Sequence, residues 1–225
     1  MNTDIINPII IIPVYNGRDS ILKLVSSIKE MYKIPIMVVN DGSTDGLNEN
    51  SLSEVVYLEH KHNRGKGAAL KTGFETAKSK GYSHALTLDA DGQHDPRVII
   101  DFDKKMRKNP LAMVIGARDL GADSMPFHRK LSNNITSMII SLRSGRIIRD
   151  AQVGYRCYPL SDRRLWESPE DGFQFESAVY FNSAKLKMNL IWQEIPVIYS
   201  NEGSHMRLVK DTLRFVRTFI RSFKW

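Results

Sequence analysis

The sequence predicts an α/β domain: a mostly parallel central sheet with flanking helices and a C-terminal amphipathic helix. Three observations carry this. Short runs rich in Ile and Val alternate with longer amphipathic segments, and turn-forming residues close each of the first four runs. A hydrophobic content of 42% over 225 residues supplies one full core and is too little for two ordinary domains.

Ile9–Val14, a compact apolar run, is the first predicted strand. A helix over Ser20–Met31 follows, with Asp19 or Ser20 available as its cap. Ile36–Asn40 and Val55–Glu59 are the second and third strands, Ala68–Lys80 is a helix, and His84–Leu88 is the fourth strand. Pro96 suits the opening of a helix over Arg97–Lys108, which leads to a fifth strand at Ala112–Gly116. Beyond Gly116 the rhythm changes. Gly121 to His128 reads as an ordinary loop, a helix is expected near Arg129–Arg143, and turn-rich chain then runs to Pro169. Tyr155–Tyr158 reads as a short strand with Cys157 as a small buried hydrophobe, and a last internal helix is expected near Phe175–Lys187. Trp166 and Trp192 read as packing residues. No low-complexity linker interrupts the chain, so 1–225 reads as one domain in three stretches: 1–118, 119–205 and 206–225.

The formal net charge of +7 favours anionic partners without choosing among a nucleotide diphosphate, a phospholipid surface and nucleic acid. The single cysteine, Cys157, excludes an internal disulfide framework and a multi-cysteine zinc site, and suits a reducing compartment. No signal peptide is expected near Met1, since the first apolar run is interrupted by Pro13 and preceded by Asp4 rather than by basic residues. No apolar run reaches the roughly 18 residues of a spanning helix. The expected location is cytoplasmic, peripheral on the inner face of the membrane.

In an open α/β sheet, ligands bind outside the carboxyl ends of the strands. The residues there cohere: Pro13-Val14-Tyr15-Asn16, then Asn40-Asp41-Gly42-Ser43-Thr44-Asp45, then Asn63-Arg64-Gly65-Lys66-Gly67, then Asp89-Ala90-Asp91-Gly92-Gln93-His94. Tyr15 can lie against a flat base, Asp41 can accept from a base or ribose donor, and the Gly65-Lys66-Gly67 turn lets backbone and a cation approach phosphates. Asp89 and Asp91 offer hard oxygens through which a divalent ion can bridge to a diphosphate. Taken singly, Asp41-Gly42-Ser43 also fits an ordinary turn, and Gly65-Lys66-Gly67 lacks P-loop spacing. Four such clusters at four strand ends are the parts of a nucleotide diphosphate site.

With these pieces in order, the chain resembles the glycosyltransferase family 2 enzymes of GT-A fold, most of all the polyprenyl- or dolichyl-phosphate mannose synthase group. The matching segments are Ile12–Asn16, Val38–Asp45, Asn63–Leu70, Leu88–Pro96, Gly116–Arg118 and Asp150–Arg156, nearly the whole chain. The resemblance implies an inverting transfer from a nucleotide-activated sugar of GDP-mannose or UDP-glucose type to a lipid phosphate. It implies that Asp89, Asp91 and Gln93 hold Mg²⁺ or Mn²⁺, while Pro13, Tyr15, Asn16, Asp41, Lys66 and Ala90 line the nucleotide pocket. On this reading 1–118 is the nucleotide-sugar and metal half, and 119–205 the acceptor half.

Displacing a nucleoside diphosphate builds negative charge on the leaving oxygens, which a divalent ion neutralises as a Lewis acid. A lipid monophosphate acceptor, with a second pKa near ~6, arrives ionised and needs cations rather than a strong general base. Arg118, Arg129 and Arg156 are the available arginines, and the resemblance favours Arg118 and Arg129 for phosphate contacts. Asp150 can support the acceptor side, or act as base if the acceptor is a hydroxyl. Glu176 fits either a family acidic position or a helix cap, and His94 is a neighbour of the carboxylates or a further ligand. Relatives carry a late cation near Gly203–Arg207; Ser200, Asn201 and Glu202 stand where an arginine is expected, which leaves Arg207 as its substitute.

Basic residues at Arg207, Lys210, Arg214, Arg217, Arg221 and Lys224 recur at spacings of three and four, beside an apolar flank of Leu213, Val216, Phe219, Ile220 and Phe223. Such a helix lies on an anionic leaflet, packs on its own domain, or meets a membrane-spanning partner. Three functions follow. The first is lipid-phosphate glycosyl transfer at the cytoplasmic membrane face. The second is a family 2 transferase with a hydroxyl acceptor on a glycan or lipid. The third is a non-catalytic protein binding anionic surfaces; nucleic acid is not expected as partner, because Asp89 and Asp91 would repel a polyanion.

Overall fold

The computed structural model describes residues 6–118, 127–196, 198 and 208–222, with the side chains of 127–129 and 208–214 outside that description. Seven strands form one sheet in the order β3-β2-β1-β4-β6-β5-β7. Its first half is β1 (Pro8–Val14), β2 (Ile36–Asn40), β3 (Val56–Glu59) and β4 (His84–Thr87), all parallel, within a residue or two of the predicted bounds. Ile9–Ile12 and Met37–Val39 are fully buried, as continuous apolar strands covered on both faces must be.

The helices between them are α1 (Arg18–Met31), α2 (Lys66–Ser79) and α3 (Ile99–Lys108), the last entered through a 3₁₀ turn at Pro96–Val98. Asp19 and Ser20 do not cap α1. Gly17 occupies that position, and Asp45 on the neighbouring loop accepts from the Arg18 N–H at 2.8 Å. Helix α2 begins two residues before the predicted Ala68, which places Lys66 in its first turn.

β5 (Met113–Arg118) is parallel to β7 (Leu190–Ile195), and between β4 and β5 the antiparallel β6 (Arg156–Pro159) is inserted. The short strand predicted at Tyr155–Tyr158 is β6, shifted by one residue, and the chain around it up to Pro169 is turn-rich as expected. β7 was not predicted; it is an edge strand whose residues are mostly half-buried, so its apolar pattern is weak. Cys157 and Trp166 are buried in the core, as expected. The remaining helices are α4 (Phe127–Ser144), α5 (Phe175–Lys185) and α6 (Leu208–Arg221). Among the described residues, no helix is long and apolar enough to cross a membrane.

Candidate active site

Because β2, β1 and β4 are parallel neighbours in register, their carboxyl ends bring Asp41–Asp45, Pro13–Asn16 and Asp89–Gln93 to one edge of the sheet. Asn16, held at φ 50°, joins the first two clusters: its side-chain oxygen accepts from the Thr44 N–H at 2.8 Å, and its own N–H donates to Ser43 Oγ at 2.9 Å. Tyr15 stands 40% exposed at this edge, whereas Pro13 is buried within β1 opposite Val39. Pro13 therefore shapes the floor rather than presenting a surface.

Asp41 is buried and its carboxylate is engaged internally. Oδ1 lies 2.6 Å from His60 Nδ1 and accepts from the Arg64 N–H at 3.0 Å, while Oδ2 accepts from the Gly65 N–H at 2.7 Å. His60 Nε2 in turn meets Thr72 Oγ1 at 3.0 Å. These bonds stand where acceptance from a base or ribose donor is expected from the sequence; in this structure Asp41 pins the turn that precedes Lys66. The glycines of that turn also differ from expectation. A Cβ on Gly65 would come 2.5 Å from the Asp171 carbonyl oxygen, and one on Gly67 would come 2.6 Å from the Phe175 Cβ. They admit the chain's own 170–175 segment, which delivers Glu176.

The result is an ionic triad of buried Glu176 with partly buried Lys66 and Asp89. Lys66 Nζ lies 2.6 Å from Asp89 Oδ1 and 3.0 Å from Glu176 Oε1. Burial opposes the charge on Lys66, but Asp89 and Glu176 outweigh it and hold the ammonium above its ordinary pKa. Burial likewise works to raise the Asp89 pKa, and the Lys66 ammonium above all overcomes it, so Asp89 stays ionised. At Glu176 burial prevails and raises the pKa. The capping reading of Glu176 gives way to this ion pair, which the sequence did not reveal because the two residues are far apart along the chain. Gly154, in the segment before β6, closes over the pair: a Cβ there would lie 2.3 Å from Asp89 Oδ2 and 2.7 Å from Lys66 Nζ.

Asp91 Oδ1 accepts from the Gln93 N–H at 3.0 Å, and Ala90 and Gln93 lie half-buried beside it. His94 Nδ1 accepts the Asp89 N–H at 3.0 Å, leaving Nε2 4.0 Å from Asp89 Oδ2. Burial pulls the His94 pKa below its ordinary value despite Asp89 and Asp91, so the neutral ring carries its proton on Nε2 and acts as a neighbour rather than a ligand. With Oδ1 committed to Lys66, Asp89 Oδ2 and the Asp91 carboxylate, together with the Gln93 amide, are the hard oxygens that suit Mg²⁺ or Mn²⁺. This donor set fits such an ion. Among the described residues, no group of three or more His, Cys, Asp and Glu forms a ready-made cage.

On the other side of β4, Arg118 ends β5 and its guanidinium grips Asp150: Nε–Oδ2 at 2.7 Å and Nη2–Oδ1 at 2.9 Å. Asp150 is fully buried and also accepts from the Gln152 N–H at 3.2 Å. A carboxylate so engaged orients Arg118 and is unsuited to act as a base. Arg156 is likewise removed from the phosphate-binding candidates. It is fully buried, donates to the carbonyls of Val153 (2.8 Å), Glu176 (2.9 Å) and Ala151 (3.1 Å), and lies over the Tyr180 ring. Arg129 lies in the first turn of α4; its side chain, residues 119–126, where a loop is expected from the sequence, His205 and Arg207 lie outside the described residues.

Residues 9–163 match the family described as Glycosyl transferase family 2. The chain belongs to glycosyltransferase family 2. Among family 2 relatives, it is 28% identical to a UDP-N-acetylglucosamine–dolichyl-phosphate N-acetylglucosaminyltransferase of Methanococcus voltae, over 85% of either chain. It is 26% identical to the undecaprenyl-phosphate mannosyltransferase of Micrococcus luteus, over 84% of this chain and 82% of that one. Its fold matches glucosyl-3-phosphoglycerate synthase from Mycobacterium tuberculosis, solved with Mn²⁺ and UDP, at a TM-score of 0.77 and 12% identity, covering 96% of this chain and 79% of that one. The protein is thus a glycosyltransferase of GT-A fold.

Proposed function

We propose that this family 2 glycosyltransferase moves a hexose, with inversion, from a nucleotide-diphospho-sugar to a polyprenyl or dolichyl phosphate at the cytoplasmic face of a membrane. The observation that carries the acceptor assignment is the Arg118–Asp150 clamp. A hydroxyl acceptor needs a base, and the carboxylate best matched to that task, Asp150, is buried with both oxygens bonded to Arg118. A phosphate acceptor arrives ionised and needs an oriented guanidinium, which is what the clamp supplies. The lipid phosphates in the relatives' names support the same reading.

Tyr15 offers a face to the base, and Asn16 fixes the two loops beneath it. Asp89 and Asp91, with Gln93, would hold Mg²⁺ or Mn²⁺, whose Lewis acidity when bound offsets charge on the leaving diphosphate. Lys66 keeps Asp89 ionised and aimed, and Glu176 keeps Lys66 in place. The mixed-charge edge and the acidic pair disfavour a purely anion-binding, non-catalytic role.

The test is an acceptor panel with a nucleotide sugar and Mn²⁺. Turnover is expected on a short polyprenyl phosphate and not on free glycans; the reverse pattern would restore the hydroxyl-acceptor reading. Asp150→Asn is expected to weaken acceptor KM more than donor binding. If Asp150 were the base, kcat itself would collapse with KM unchanged.

A further inference from the structure

Lys66 stands between two carboxylates that differ in what can reach them. Its Nζ lies 2.6 Å from Asp89 Oδ1 and 3.0 Å from Glu176 Oε1, and the Asp89 side chain is 23% exposed against 7% for Glu176. A divalent ion arriving from solvent can reach Asp89, whereas Glu176 is shielded. Two positive charges on one carboxylate weaken each other's hold, and the Lys66 ammonium already offsets the charge that suits Mg²⁺ or Mn²⁺ at Asp89. Asp91 differs, since its Oδ1 accepts from the neutral Gln93 N–H at 3.0 Å.

The neighbouring positive groups do not share this position. His94 Nε2 stands 4.0 Å from Asp89 Oδ2, and Arg156 is committed to three backbone carbonyls. Taking the only carboxylate from a partly buried ammonium is costly, because the charge loses its partner without regaining full hydration. Glu176 spares Lys66 that cost. If Asp89 is given up, the ammonium keeps a carboxylate at 3.0 Å and the remaining pair is neutral. Gly154 adds no side chain over Asp89 or Lys66, so neither group is wedged in place.

We propose that Lys66 is an exchangeable counter-ion of Asp89, which yields the carboxylate to a divalent ion and then rests on Glu176, so that metal is taken up by exchange and not by simple addition. The consequence is weak holding of the metal alone, and tighter holding once a nucleoside diphosphate supplies further negative charge for both cations. The proposal rests on the reading of Asp89 and Asp91 as metal-holding carboxylates. It goes beyond that reading by making Lys66 and Glu176 positioning residues that set how readily the ion is gained and lost.

The test uses the full chain and Mn²⁺ without nucleotide, at about pH 8, well above the ordinary carboxylate range, with free Mn²⁺ read by electron paramagnetic resonance. Lys66→Met is expected to bind Mn²⁺ about tenfold more tightly than wild type, and Glu176→Gln about three- to tenfold more weakly, because Lys66 is then left with Asp89 alone. The double variant Lys66→Met/Glu176→Gln leaves no glutamate without its cation and is expected to match Lys66→Met, since Glu176 acts through Lys66; it carries the test if Lys66→Met by itself does not fold. A purely scaffolding Lys66 predicts the opposite sign, with Asp89 losing its aim and Mn²⁺ binding weakened in all three variants. That pattern would overturn the proposal, as would Mn²⁺ binding equal in all four proteins, whether measured alone or with UDP or GDP. Absence of Mn²⁺ binding in every one of them, nucleotide included, would instead remove the metal reading itself, and the exchange with it.

Discussion

Replacing Gly154 by Ala places a methyl group where Asp89 and Lys66 now lie. Its carbon would stand 2.3 Å from Asp89 Oδ2, 2.7 Å from Oδ1 and 2.7 Å from Lys66 Nζ. Ordinary contact is about 3.5 Å, so the carboxylate must retreat by about 1 Å. Losing a partner from a fully buried ion pair costs about 3–5 kcal/mol, and partial displacement of this 2.6 Å pair, whose side chains are partly exposed, is expected to cost about 1–2 kcal/mol of stability. Function should suffer more, because a displacement of about 1 Å in a positioning group lowers rate roughly 100-fold. The assay is donor turnover across a Mn²⁺ titration, with metal affinity read by electron paramagnetic resonance and stability by urea unfolding. The expected result is weaker Mn²⁺ binding and ~100-fold lower kcat/KM in a protein that still folds. Wild-type metal affinity and turnover in Gly154→Ala would refute the coupling between this glycine, the triad and the metal-holding carboxylates.

Two further expectations concern the scaffold. Arg156→Leu should cost about 3 kcal/mol in urea unfolding, because the Val153, Glu176 and Ala151 carbonyls lose their buried donor at roughly 1 kcal/mol or more each; a loss near zero would mean that water or neighbouring groups replace it. His84 is buried, with Nε2 2.9 Å from the Pro110 carbonyl oxygen, and burial lowers its pKa below the ordinary value. Its contribution is therefore fully present above about pH 6.5. It is lost as pH falls, because the unfolded chain then binds a proton that the folded chain resists, by up to ~1.4 kcal/mol per pH unit. Thermal midpoints between about pH 5 and 7 should flatten in His84→Gln relative to wild type, and an unchanged slope would assign the effect elsewhere, His94 being the other buried histidine shifted the same way.

The first half of the fold was legible because its signals are local. Ile9–Val14 and Ile36–Asn40 are apolar runs short enough to be strands and bounded by turn residues, and the chain formed β1 and β2 there within one residue. Where burial is partial the signal fades, which is why β7 was missed. The strand-end rule brought Tyr15, Asn16, Asp89 and Asp91 to one edge without knowledge of any long-range contact. It misjudged what the charged residues between them would touch.

Lys66 and Gly65 looked like a phosphate cradle and Asp41 like a base or ribose acceptor, Arg156 was one of three available arginines behind Arg118 and Arg129, and Asp150 was open between supporting the acceptor and acting as a base. Each has a partner that the sequence places far away: Glu176 for Lys66, His60 for Asp41, three carbonyls for Arg156 and Arg118 for Asp150. The sequence by itself determined the βα rhythm, the family motifs and the acidic pair, because these depend on side-chain periodicity and short-range turn chemistry. Only the tertiary structure decided which charges are spent holding the site together. Those outcomes depend on the insertion of antiparallel β6 between β4 and β5 and on the 170–175 segment folding back onto α2, and a buried charge must take whatever partner that topology brings within reach.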